Sequence, residues 1–341
     1  MKKNHFCITL LIAFFFMQHS MAQFIPEYSG DHNLNLLFKL VKSNSGKTSY
    51  VYFPLSRPEI KESYPYFEAA SNTNISVFEG KEKHSTFWKH TNMQLGVNLL
   101  LRMYNEESSP IHPMNFEPGI VFNHFFNPKS YSETWLNRSS TEINNYYYCT
   151  LEAKHLSNGQ SGPFYIPGTD SINYENGDFS TNFVKLKFSH VNRGLLNPES
   201  YLIQTYGIRI DWGIPGTVLR IQEGLLNSYG KYRLIANYQW ISRPFSLFNI
   251  KATSKLGQTD ETLKFRLITR VENTYIIGNL TNFPDENTDK DRYNFNARVT
   301  LYPIDYVEMG LFVNFFVGRD YYNLKFTDKK DIWSIGLTYN L

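Results

Sequence analysis

The chain is poor in the residues that build disulfides, metal centres and membrane helices. It holds two cysteines, Cys7 and Cys149, and no CxxC, HExxH or GxxxxGK[ST] pattern. Motif-based zinc and P-loop readings are thereby excluded. No apolar run reaches the 18 or more residues that suggest a spanning helix, and the mean hydropathy is −0.39. Charge is scarce too. Only 19% of the 341 residues are charged, and 34 basic against 31 acidic side chains leave a net charge of +3. An electrostatic nucleic-acid binder would need a strongly basic face, so that class is excluded. What is abundant is aromatic: 24 Tyr and 27 Phe within a 16% aromatic share, high for a soluble enzyme.

Residues 1–22 read as a secretory signal peptide. Lys2 and Lys3 precede an apolar run from Phe6 to Met17, and Ser20-Met21-Ala22 offers small residues at a cleavage site before Gln23. Cys7 leaves with that segment, so Cys149 is expected to be alone and no intramolecular disulfide forms. A lone Cys in an aromatic strand reads as a small apolar residue.

Strict period-2 alternation dominates the rest. Trp333, Ile335, Leu337, Tyr339 and Leu341 share one face of the C-terminal segment, with Ser334, Gly336, Thr338 and Asn340 opposite. Val307 to Val317, Tyr293 to Leu301 and Tyr232 to Trp240 repeat the pattern, with Arg and Asn on the polar side. Segments of about ten residues with aromatics near their ends (Tyr293, Tyr302, Trp333, Tyr339) predict a transmembrane antiparallel β-barrel, an all-β fold. A soluble exported sandwich is the rival fold.

Twelve strands are expected near 95–103, 116–125, 144–157, 182–190, 201–212, 231–242, 247–254, 262–271, 273–281, 292–302, 307–317 and 331–341. With both termini periplasmic, the connections 104–115, 158–181, 213–230, 255–261, 282–291 and 318–330 face outward. The short turns 243–246 and 303–306 lie on the other side, the usual asymmetry. Residues 23–90 resolve into no confident strand and stand as an N-terminal segment free to cover or plug a 91–341 barrel. His84, His90, His112 and His190 lack metal-ligand spacing and read as solvated surface residues.

The strand 144–157 carries the chemistry. Its polar face, Thr150, Glu152 and Lys154, belongs in the lumen, so His155 and Ser157 fall on the lipid-facing side. The strand opening near Asn182 is expected to pair antiparallel and set Asn182 beside His155. Polar groups aimed at hydrocarbon are costly unless they satisfy one another or act. Ser157 as nucleophile, His155 as base and Asn182 as the residue orienting the imidazole would supply that purpose. Spacing by itself favours the plainer reading, in which His155 and Ser157 decorate the headgroup level, since an i, i+2 His–Ser pair is a weak signal.

His155-Leu156-Ser157-Asn158-Gly159-Gln160-Ser161 resembles the active-site signature of the outer-membrane phospholipase A family. Glu106-Glu107-Ser108-Ser109-Pro110 with Asn115-Phe116-Glu117-Pro118, and Ser180-Thr181-Asn182, are similar to two further family segments. The resemblance spans roughly 104–190. It implies a twelve-stranded barrel in the outer membrane of a Gram-negative bacterium, with Ser157, His155 and Asn182 as the triad. It implies a calcium-dependent phospholipase A1/A2 that hydrolyses fatty-acyl esters of phospholipids and lysophospholipids as a homodimer. Calcium would take backbone oxygens at Gln160 and at the position of Ser108 in a second copy. The side-chain ligand would stand at Asp178, with Asp170 or Ser171 as alternatives. This sequence departs from the pattern in three places. Gln160 replaces a basic residue, the 158–181 loop is about twice the expected length, and Leu341 replaces a terminal aromatic. A non-enzymatic porin or surface barrel that retains the fold is the other functional class. It has no reason to hold Ser, His and Asn on the lipid face.

Overall fold

The computed structural model describes residues 49–55, 65–80, 86–104, 111, 113–126, 144–169, 171–193, 200–212, 225–246, 251–252, 261–262, 264–277, 292–303, 309–322 and 326–339. The expected signal segment and Leu341 lie outside them. The chain runs β1 (Ser49–Pro54), β2 (Pro65–Glu79), α1 (Thr86–Lys89), β3 (Thr91–Tyr104), β4 (Asn115–Phe126), β5 (Asn144–Ser157), β6 (Ser180–Arg193) and β7 (Tyr201–Trp212). It continues with α2 (Leu225–Tyr229), β8 (Tyr232–Ile241), β9 (Lys251–Ala252), β10 (Glu261–Thr262), β11 (Phe265–Ile277), β12 (Tyr293–Pro303), β13 (Met309–Arg319) and β14 (Lys329–Tyr339).

Twelve of these strands, all but β9 and β10, form one closed antiparallel barrel. Closure is made by β1 on β14, from Ser49 opposite Tyr339 to Pro54 opposite Ser334. A closed barrel leaves no strand edge unpaired, which is what hydrocarbon demands of a backbone that crosses it.

Outward-facing positions carry exposed Leu95, Ile120, Leu151, Leu186, Ile208, Leu234, Val299, Leu311 and Leu337. An apolar outer belt of this kind marks a membrane-spanning barrel. Many inward positions are polar and buried. Glu152 meets three lysines, Lys187 at 2.5 Å, Lys185 at 3.4 Å and Lys154 at 3.7 Å. Lys154 also reaches Glu117 at 2.9 Å, and Asp211 bridges Arg209 at 2.6 Å and Arg233 at 2.5 Å. Arg102, fully buried, pairs with Glu68 and with Asp320 at 2.7 Å, tying β2 and β3 to the turn after β13. From that turn the hydroxyl of Tyr322 donates to the carbonyl of Pro113 at 2.5 Å. Burial pushes this phenol above its ordinary value, which keeps the proton on the donor. At the Ser157 end of the barrel, Leu156, Phe164, Phe179, Phe183, Leu225 and Phe326 pack together over the ionic layer.

Several expectations need correction. The barrel begins well before residue 91, because β1 and β2 come from the unassigned 23–90 stretch. In β1 the lumenal positions hold Tyr50, Tyr52 and Pro54, so no polar alternation shows. In β2 register shifts at Pro65/Phe67 and Ser76/Phe78 break the period. The strands expected at 262–271 and 273–281 are one strand, β11, continuously paired with β12. Of the strand expected over 247–254 only Lys251–Ala252 is described as strand, and it pairs with β10 outside the barrel. β8 ends and β11 begins at the opposite end of the barrel from the Ser157 turn, so the expectation of an outward connection between them is not met. Tyr302 is buried and shares the inward side of β12, so it belongs to no outer girdle. His90 is buried beneath the α1 turn, where its carbonyl accepts the N–H of Phe125 at 2.9 Å. His190 is half-buried and stacks on Tyr147. His84 and His112 lie outside the described residues.

Candidate active site

β5 and β6 pair antiparallel with His155 opposite Asn182, Leu156 opposite Thr181 and Ser157 opposite Ser180. The alternation that buries Glu152 and Lys154 in the lumen sets Leu151, Ala153, His155 and Ser157 on the outer face. Asn182 shares that face with Leu186 and Phe188. All three site residues therefore point away from the lumen, at the end of β5 that enters the long 158–179 connection.

His155 Nδ1 and Asn182 Oδ1 stand 2.8 Å apart. The amide is held in one orientation, because Asn182 Nδ2 donates to the carbonyl of Trp212 at 3.2 Å. Trp212, the last residue of β7, lies directly opposite Asn182. With Nδ2 committed to a carbonyl, Oδ1 must be the atom facing the imidazole. Nδ1 then carries the hydrogen, and Nε2 keeps the lone pair. A main-chain carbonyl thus fixes the amide, and the amide fixes the tautomer. Asn182 is only 4% exposed despite its outward position. A neutral amide is the less expensive group to desolvate there.

Ser157 Oγ accepts the N–H of Gly159 at 3.1 Å. Among the described residues no hydrogen bond joins it to His155. Gly159 sits at φ +67°, in the left-handed region that favours glycine, and turns the chain sharply off β5. On the other side of Ser157, Phe116 of β4 stands directly opposite and presents its ring on the outer surface.

The connection between β5 and β6 folds as an ordered ribbon. Gly162 N–H donates to Asn176 O at 3.0 Å, Asn173 N–H to Phe164 O at 2.8 Å, and Ile166 N–H to Ser171 O at 2.9 Å. Phe164 and Phe179 anchor it in the aromatic cap, and the Tyr174 hydroxyl meets Thr327 Oγ1 at 3.1 Å. At the ribbon's base, buried Asn158 holds both of its limbs. Asn158 Oδ1 accepts the N–H of Gln160 at 3.2 Å and of Phe179 at 3.0 Å, while Nδ2 donates to Gly177 O at 2.8 Å.

Of the expected metal ligands, Gln160 and Asp178 are brought to this base, next to Ser157. Ser171 is exposed at the far tip of the ribbon. Ser108 and Asp170 lie outside the described residues. Those residues contain no group of three His, Cys, Asp or Glu side chains able to hold an ion. A set made of the Asp178 carboxylate and main-chain carbonyls such as that of Gln160 is nonetheless the hard-oxygen type calcium takes. The residues present fit that ion.

Sequence reasoning did not single out Asn158, Trp212 or Phe116. The Ser-Asn-Gly run carries a turn signal for Asn158. Trp212 contributes through its main chain, which leaves no mark in the sequence.

No protein-family model matches the chain, and no curated protein matches it. Among solved structures, the chain is similar to outer membrane phospholipase A from Escherichia coli. The identity is 13%, the match covers 86% of this chain and 90% of that one, and the TM-score is 0.49. It is similar to the Salmonella typhi outer membrane phospholipase dimer with bound calcium, at 12% identity, 86% and 91% coverage and a TM-score of 0.47. The beta domain of the Bordetella autotransporter Brka follows at 10% identity, 87% and 97% coverage and a TM-score of 0.35.

Proposed function

We propose that this barrel sits in the outer membrane of a Gram-negative bacterium and hydrolyses fatty-acyl ester bonds of phospholipids, with Ser157 as nucleophile. The observation that carries the reading is the 2.8 Å contact of His155 Nδ1 with Asn182 Oδ1 on the lipid-facing side, one strand step from Ser157. It leaves Nε2 as a base on the same face as a serine hydroxyl, where an acyl chain would lie.

In this reading Ser157 Oγ swings from Gly159 to His155 Nε2 and gives up its proton as it attacks the ester carbonyl. The Gly159 N–H, released by that swing, faces the oxyanion. The tetrahedral intermediate collapses, and the lysophospholipid alkoxide leaves with the proton from His155. Water then attacks the acyl-serine, His155 takes its proton and returns it to Ser157 Oγ, and the fatty acid departs. Asn182 holds the imidazole throughout and stays neutral. Calcium, held at Asp178 and the carbonyl of Gln160 with Ser108 of the partner subunit, would add positive charge beside the oxyanion in an active homodimer.

The packed interior weighs against a channel. Arg102, Glu68, Glu152 and Asp211 are buried against their counter-ions, and Phe183 of the aromatic cap packs on Arg209 and Lys185.

The test is acyl-ester hydrolysis of mixed-micelle phospholipid by refolded residues 23–341, wild type beside Ser157→Ala, each with calcium and with a chelator. Calcium-dependent activity present in the wild type and lost in Ser157→Ala is the expected result. A folded wild-type barrel that is inert in both conditions removes the reading.

A further inference from the structure

The geometry points to Asn158 as a positioning residue that sets the calcium-binding limb of the loop relative to the nucleophile. The inference rests on the function proposed above and adds a residue to it. Asn158 follows Ser157 directly and is 2% exposed. Its side chain makes three hydrogen bonds, and all three end on the ribbon base. The bond from Gln160 N–H fixes the limb leaving β5. The bonds from Phe179 N–H and to Gly177 O grip the two residues that flank Asp178. The Asn158 main chain adds a fourth contact, its N–H donating to Phe179 O at 3.0 Å. Asp178 is held from the other side by its own N–H, which donates to Gly162 O at 2.8 Å.

A single amide therefore joins the strand carrying Ser157 to the two loop positions of this chain assigned to calcium, Gln160 and Asp178. It need not touch the ion or the ester to matter, because it fixes where those donors stand. Outer-shell groups of this kind typically change metal affinity by about 10- to 100-fold when removed. The His155–Asn182 pair shares none of these bonds, so the basicity around Ser157 is expected to be independent of Asn158.

The experiment uses the refolded 23–341 barrel with and without Asn158→Ala. Calcium affinity is read by titration calorimetry. Reactivity of Ser157 is read by its labelling rate with a fluorophosphonate in chelator. The expected result is a calcium Kd raised about tenfold or more, with the labelling rate in chelator within about twofold of the wild type. Unchanged calcium affinity in a folded Asn158→Ala barrel overturns the inference, as does a wild type that binds no calcium. Labelling of Ser157 in either of those cases leaves the proposed nucleophile standing, so the two failures are told apart. Should Asn158→Ala not refold, Asn158→Ser, whose hydroxyl can still accept the Gln160 N–H, serves for the same comparison.

Discussion

Replacing Asn182 by Ala tests the relay from Trp212 to the imidazole. The substitution removes the acceptor 2.8 Å from His155 Nδ1 and the donor that satisfies Trp212 O. A neutral hydrogen bond contributes a net of about 0.5–1.5 kcal/mol. Releasing one ordered ring adds about 0.5–1.5 kcal/mol of lost orientation. Together they raise the barrier by roughly 1–3 kcal/mol, a fall of about 5- to 150-fold in kcat/KM. The effect is far below the roughly 10⁴-fold seen where the wrong tautomer is enforced on a triad histidine, because Ala enforces neither. The assay is phospholipid hydrolysis at saturating calcium, alongside gel mobility of heated and unheated samples to confirm a folded barrel. A folded Asn182→Ala enzyme with wild-type kcat/KM would refute the relay. A loss near that of Ser157→Ala would refute the magnitude, and with it the view of Asn182 as an orienting group only.

Three further outcomes are expected. Arg102→Ala strands buried Glu68 and Asp320 without their shared cation, so stability should fall by about 3–5 kcal/mol, seen as an earlier urea midpoint in detergent. Gly159→Ala has room for its methyl, whose nearest neighbour would be a Phe116 ring carbon at 3.8 Å. Its cost is therefore the left-handed backbone alone, about 1–2 kcal/mol, and a folded barrel with slowed hydrolysis is expected. In planar bilayers the wild-type barrel should give no steady ion conductance, since Arg102, Glu152 and Asp211 are buried in ion pairs across the lumen; stable open-channel currents would contradict that blockage.

The strands with a polar lumenal row were readable from the sequence, β5, β12 and β14 above all, because hydrocarbon outside and hydrogen bonds inside enforce a period of two. The total of twelve came from two errors in each direction that cancelled. β1 and β2 went unseen because Tyr50 and Tyr52 put aromatics in the lumen and β2 is bulged. The surplus came from reading β11 as two strands and 247–254 as another. In β11, Arg270, Glu272, Asn273 and Thr274 place polar groups on both faces and mimic a turn. The juxtaposition of His155 with Asn182 was legible because an antiparallel pair across one connection leaves few registers. The grip of Asn158 on residues 177 and 179 was not, since it depends on how a 22-residue excursion from 158 to 179 returns to the strand.

The lysines around Glu152 bear on more than stability. Sliding β5 by a single residue would turn His155 and Ser157 inward and push Glu152 and Lys154 into lipid. That slip would break up the contacts of Glu152 with Lys185 and Lys187 on β6 and of Lys154 with Glu117 on β4. Charges hidden on one side of the sheet thus guard the aim of the groups on the other. Selection could then vary the residues around Ser157 widely, so long as the hidden lock behind it is kept.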